Sequence, residues 1–158
     1  MKKILFYKIR KNAKLPVRVH PTDAGADLFY CPDPEWSSKC KWDGANVLIA
    51  SGEGCLIPTG LKVDLPSGYM LEIKNKSGVA TKKRLIVGAC VVDSGYTGEI
   101  YVNLQNIGRE NQVIEPFQKI AQAVIVPIVT PEVVETQQDP TLDGTARGSG
   151  AFGSTGEF

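Results

Sequence analysis

No apolar run of membrane length occurs in this 158-residue chain, which removes a helical membrane span from consideration. Charge of one sign is lacking too. Eighteen basic residues face 17 acidic ones, and a net charge of +1 argues against a broad electrostatic surface for nucleic acid. Any polyphosphate would have to be held by a few placed groups. Histidine is almost missing, with His20 alone, and the four cysteines (Cys31, Cys40, Cys55, Cys90) never form a Cys-x-x-Cys pair. A zinc site from Cys31, Cys40, Cys55 and His20 is open on ligand count alone, whereas free thiols are the expected state in a reducing compartment. The basic start Met1-Lys2-Lys3 precedes only Ile4, Leu5, Phe6 and Tyr7 before Lys8, too short for a signal-peptide core. A cytoplasmic protein is expected, with neither membrane nor nucleic acid as partner. No internal repeat and no interdomain linker is visible, and the composition suits one domain over 1–158.

Long helical patterns are also absent, and strands and turns take their place. Sixteen glycines and ten prolines punctuate the chain, and no window keeps the helical period over three turns. Apolar residues alternate at Leu61, Val63 and Leu65, at Tyr69, Leu71 and Ile73, and at Ile100, Val102 and Leu104. Period two with one buried face predicts antiparallel strands. Runs at Leu85 to Val92 and Ile120 to Val129 predict strands buried on both faces. Pro66-Ser67-Gly68 and Asp93-Ser94-Gly95 predict turns. The fold class is therefore all-β, a barrel or jelly-roll of short antiparallel strands.

Three segments break the pattern. Residues 30–46 hold Trp36, Trp42, Cys31 and Cys40 with weak periodicity, and read as a surface insertion: a hairpin capped by its own aromatics, or a contact surface. Residues 130–146 read as an extended C-terminal arm, and such an arm often lands on a neighbouring subunit. Residues 147–158 are a glycine-rich tail that cannot fold alone. Its chemistry suits a nucleotide: Arg147 for phosphate, Phe152 for stacking, Ser154, Thr155 and free amides for phosphate oxygens. It is expected to stay mobile and to order over a bound ligand.

Short polar clusters sit at the ends of the strand patterns. Ala24-Gly25-Ala26-Asp27-Leu28 sets a carboxylate among small residues. Lys76-Ser77-Gly78 joins a cation, a hydroxyl and a permissive backbone, suited to a phosphate or simply to a turn. Gly88 to Gly98 puts Asp93 and Tyr96 around a tight turn. Ile120-Ala121-Gln122 carries an amide into an apolar strand, where it needs partners.

Together and in this order, these clusters resemble the trimeric dUTP diphosphatases (dUTPases). The family's Ala-Gly-x-Asp-Leu corresponds to Ala24 to Leu28, its Arg-Ser-Gly to Lys76-Ser77-Gly78, and its Gly-Val-Ile-Asp-x-x-Tyr-x-Gly to Cys90 through Gly98. Ile120-Ala121-Gln122 matches the fourth motif and Arg147 to Gly156 the fifth. The resemblance implies a β-clip barrel and a homotrimer with active sites at subunit interfaces. It implies hydrolysis of dUTP to dUMP and pyrophosphate by water attack on the α-phosphorus, which limits uracil in DNA and supplies dUMP for dTTP synthesis. Asp93 would orient and deprotonate the water. Mg²⁺ would be chelated mainly by the triphosphate, with Asp27 holding it through water. Lys76, Ser77, Gly78 and Gln122 would meet phosphate oxygens, Arg147 would neutralise the outer phosphates, Phe152 would stack on uracil, and Gly153, Ser154 and Thr155 would close over the γ-phosphate. Gly88, Cys90 and Val91 would read the uracil edge through their backbone, and Tyr96 would pack on the deoxyribose.

Two departures stand out: Lys76 replaces an arginine, losing its planar fork, and Cys90 replaces a frequent glycine, strained only if φ were positive. The nearest rival, a dCTP deaminase on the same fold, requires a glutamate ten residues after the turn's aspartate, where this chain has Asn103. A regulatory or binding protein on the scaffold is a second rival.

Overall fold

In a computed structural model, residues 3–36 and 41–138, with Gly144 and Gly148, are described. Among these described residues, twelve strands and one helix follow in chain order. The strands are β1 (Leu5–Lys8), β2 (Ala26–Phe29), β3 (Lys41–Asp43), β4 (Asn46–Ile49), β5 (Gly54–Pro58) and β6 (Leu61–Asp64), then β7 (Tyr69–Lys74). After the helix α1 (Ser77–Lys83) come β8 (Leu85–Val87), β9 (Val91–Val92), β10 (Tyr101–Asn106), β11 (Gln112–Ile114) and β12 (Lys119–Pro127). Every pairing among them is antiparallel, as the alternation predicts. Four small sheets run β1-β6, β5-β10-β8, β11-β4-β3 and β2-β12-β7-β9.

These sheets close on a single apolar cluster that includes Leu28, Ile57, Leu61, Leu71, Val102, Leu104 and Ile120, each at most 1% exposed. Period-two patterning explains which faces turn inward. In β6 Leu61 and Val63 are buried while Lys62 and Asp64 face solvent, and in β7 Leu71 and Ile73 are the buried pair. The turn after β6 depends on Gly68, whose φ of +82° would strain any residue with a Cβ.

Several sequence-based expectations change. The run from Leu85 to Val92 is two short strands split at Gly88–Cys90, with Val91 56% exposed. β12 stops at Pro127, and residues 128–138 form neither strand nor helix. Lys76-Ser77-Gly78 is no plain turn, because Ser77 begins α1. That helix spans two turns, buries Val79, and ends at Arg84 with φ 55°, too short for a period count to reveal. The segment 30–46 is more than a surface insertion: Tyr30 and Cys31 are core residues, and β3 and β4 form a hairpin in a sheet with β11. Cys55 is disulfide-bonded, against the expectation of free thiols, while Cys31 and Cys90 are free. No group of metal-binding side chains assembles among the described residues, so the zinc option finds no support there. No described helix is long and apolar enough to cross a membrane.

Candidate active site

Asp27 is the polar centre of the four-stranded sheet. It lies on β2, 5% exposed, with Gln122 of β12 opposite it in register. A buried carboxylate is costly unless paired, and two lysines supply the pairing. Lys76 Nζ donates to Asp27 Oδ1 at 2.7 Å. Lys119 Nζ lies 2.7 Å from Oδ2, close enough for a strong ion pair although the approach falls outside hydrogen-bond angles. Burial by itself would push the Asp27 carboxyl up; Lys119 and Lys76 outweigh it and hold the group below its ordinary value. Two cations around one carboxylate leave a net positive charge, a suitable surface for phosphate oxygens.

Neighbouring residues keep that cluster in place. Gln122 Nε2 donates to the Asn75 carbonyl at 2.9 Å. A Cβ at Gly25 would collide with the Gln122 amide, so the small residue in Ala24-Gly25-Ala26 makes room for this side chain. Lys76 also precedes α1 with extended backbone and no side-chain cap, since an ammonium can only donate and the helix start needs an acceptor. Ser77 and Gly78 follow, both exposed at the start of the helix.

Asp93 lies elsewhere. It follows β9 in a turn closed by the Tyr96 amide donating to the Asp93 carbonyl at 3.1 Å. Its exposed side chain lines a cavity of about 210 Å³ whose wall includes Leu56, Ala89, Val91, Tyr96, Tyr101 and Asn103. Tyr96, which also lines the cavity, donates its phenol to the Glu99 carbonyl at 2.8 Å. Burial, then the charge of Glu99, pushes the Tyr101 phenol up to about 12, so this part of the wall stays neutral near pH 7.

The backbone beside the cavity is tied down by Asn103. Gly88 N–H donates to the Asn103 carbonyl at 2.9 Å, and Ala89 N–H to its side-chain oxygen at 3.2 Å. That oxygen also accepts from Gln105 at 2.8 Å, and it lies where a Cβ on Gly88 would need to be. Cys90 accepts from Ile73 N–H at 2.7 Å. Its φ is not positive, so the departure from glycine carries no backbone strain. Gly88 and Cys90 flank the cavity without lining it.

Asp27, Lys76 and Gln122 thus gather in one place, and Val91, Asp93 and Tyr96 in another. β7 lies between them: Val92 pairs with Leu71 near its start, and Lys76 follows its end. Five residues of near-extended chain correspond to roughly 17 Å. Asp27, Ser77 and Gln122 are not among the residues lining the Asp93 cavity. Arg147, Phe152, Gly153, Ser154 and Thr155 lie outside the described residues. Sequence reading missed Lys119, Asn103, Leu56 and Tyr101. The first looks like an ordinary solvated strand-end charge, and the other three carry no motif.

The family model described as dUTPase matches residues 44–156. The chain belongs to the dUTPase family. It is 43% identical over 155 residues to the deoxyuridine 5'-triphosphate nucleotidohydrolase of Chlamydia muridarum, a match covering 96% of this chain and 97% of that one. A dUTPase of Staphylococcus bacteriophage 80alpha, solved as a mutant with dUpNHpp, superposes with a TM-score of 0.82 at 27% identity over 99% of both chains. A mutant dUTPase from phage phi11 of S. aureus, described with a structural Mg(II) ion, matches with a TM-score of 0.73 at 26% identity, over 87% of this chain and 98% of that one. The all-β architecture is therefore that of dUTPases.

Proposed function

We infer that the chain hydrolyses dUTP to dUMP and pyrophosphate. The observation that carries this reading is a cavity beside an accessible carboxylate, Asp93, in a chain so similar to a deoxyuridine triphosphate nucleotidohydrolase. The base and deoxyribose enter that cavity. Tyr96 covers the sugar, and the held backbone from Gly88 through Val91 reads the uracil edge. Such a rigid edge discriminates well, because a wrong base leaves buried polar groups unpaired. Asp93 accepts a proton from the attacking water, a role worth about 10²–10⁴ in rate.

The triphosphate lies against the cationic cluster. Lys76, Ser77, Gly78 and Gln122 contact its oxygens near the scissile bond, and Lys119 joins them through Asp27. Mg²⁺ fits this donor set in one way only. Both Asp27 oxygens already face ammonium groups, so the carboxylate can hold the ion through water but cannot supply a dedicated cage. When bound, the ion would neutralise charge on the phosphates. From the tail, Arg147 balances the outer phosphates, Phe152 stacks on uracil, and Gly153, Ser154 and Thr155 cap the γ-phosphate.

One chain separates Asp93 from Asp27, and a complete site therefore needs a second copy. Head-to-tail contacts closing on a three-fold axis, a homotrimer, satisfy that need. Deamination of a cytosine nucleotide lacks its base, since Asn103 occupies the position and its oxygen is engaged.

The decisive experiment offers dUTP, dCTP, dTTP and UTP with Mg²⁺ and measures pyrophosphate and base identity. Pyrophosphate from dUTP alone is expected. Turnover of dCTP to a uracil nucleotide, or no turnover of dUTP, would reverse the conclusion. Truncation before Arg147 should lower kcat more than ground-state affinity.

A further inference from the structure

The segment that leaves the core after Cys31 returns twice to the outside of the Asp93 cavity. Trp36 lies face to face with Tyr101, ring centroids 4.4 Å apart and planes inclined by 25°. Its indole N–H donates to the Leu56 carbonyl at 3.2 Å. Leu56 and Tyr101 line the cavity, and Trp36 does not. The two belong to adjacent strands, β5 and β10, where Leu56 is paired with Asn103 and Pro58 with Tyr101. One indole therefore spans both strands from behind.

The second attachment lies three residues earlier. Asp33 accepts from Arg10 Nη1 at 2.8 Å, and the same guanidinium grips both oxygens of Glu99. Glu99 lines the cavity, accepts the Gly60 amide at 2.6 Å through its side chain, and accepts the Tyr96 phenol through its carbonyl. A lone surface indole on a tyrosine would be an ordinary way to cover apolar area. Here a π-stack, an indole hydrogen bond and a part-buried charge chain run from one short stretch to one wall.

We propose that residues 32–36 brace the nucleoside pocket, with Trp36 a positioning residue that fixes Tyr101 and Leu56 and so sets affinity and base discrimination. The proposal rests on the reading that this cavity takes the nucleoside of dUTP. Because Trp36 touches neither Asp93 nor the cationic cluster, its loss loosens binding and leaves the chemical step largely intact. Aromatic contacts of this kind predict a loss of about three- to tenfold on removal.

The test uses the full chain with Trp36→Ala and Trp36→Phe, both checked by thermal unfolding. KM and kcat are measured for dUTP and dCTP, and affinity for the non-hydrolysable dUpNHpp. The expected result is a KM and Kd raised about three- to tenfold in Trp36→Ala with kcat within about twofold, and a narrowed preference for dUTP over dCTP. Trp36→Phe, which keeps a stacked ring, should recover most of the loss. Unchanged KM and Kd in Trp36→Ala, an equal loss in both variants, or a loss confined to kcat would overturn the brace. If the parent binds dUpNHpp without hydrolysing dUTP, the catalytic reading falls while the Kd series still decides the brace. If the parent binds neither, both fall.

Discussion

Around Asp27 the chain buries a charge and surrounds it. Two ammonium groups, a paired strand on either side of β12 and a glycine cut to the shape of Gln122 leave that carboxylate little freedom. Around Asp93 it does the reverse, leaving the carboxylate exposed on a four-residue turn and fixing everything behind it. A group that orients a charged ligand gains from being held low in pKa and immobile. A group that must take a proton from water gains from direct access to that water. The same residue type thus serves two purposes, and the difference lies in its neighbours.

Substitutions can separate the two regions, and the largest effect is expected at the turn. Asp93→Asn should bind dUpNHpp with near-parental affinity and hydrolyse dUTP about 10²–10⁴ times more slowly; turnover close to the parent would remove Asp93 from the chemistry. Asp27 should show itself in stability first. Its folded pKa lies below the ordinary 3.8, so its contribution is fully present above that value and is lost as pH falls through the lowered folded value. Asp27→Asn should cost about 1.5–3 kcal/mol near pH 7, and the gap between variant and parent in acid unfolding should close only below about pH 4. An equal gap at every pH would mean the ion pairs contribute nothing.

Gly25→Ala comes next. The new methyl displaces Gln122, and activity on dUTP should fall about tenfold, while deoxyuridine, which carries no phosphate and reaches only the nucleoside cavity, should bind unchanged. Weaker deoxyuridine binding would merge regions that the comparison keeps apart. The smallest effect is assigned to Lys76→Arg. The planar fork can engage phosphate at two points, and kcat should rise by roughly threefold at most. A variant slower than the parent would show that the lysine is fitted to Asp27 rather than to substrate.

How much of this was legible beforehand follows from the range of the interactions involved. Leu61, Val63, Leu71 and Ile73 declared their buried faces by alternation, because period two is a local property. Asp27, Lys76, Asp93 and Gln122 were legible through the motifs around them. Helix α1 was not, since seven residues give too few repeats for a period to show. The contacts that shape the Asp93 wall were invisible for another reason: Trp36 and Tyr101, or Arg10 and Glu99, are far apart in sequence and none has a distinctive neighbour pattern. Cys55 misled, because redox expectation was drawn from compartment and the disulfide was observed. Lys119 was passed over because a lysine opening a strand is the commonest of sights, and only the register of β12 on β2 brings it to Asp27.

Strand β7 gives the two regions a shared fate. Val92 pairs with Leu71 within this strand and Lys76 follows its end, and in the homotrimer proposed above each polypeptide would lend one half-site and borrow the other. Damage in the lent half is then felt in a neighbour rather than at home. Chains carrying Asp93→Asn and chains carrying Gly25→Ala, refolded together, should restore some wholly intact sites, and the mixture should outperform either parent pool.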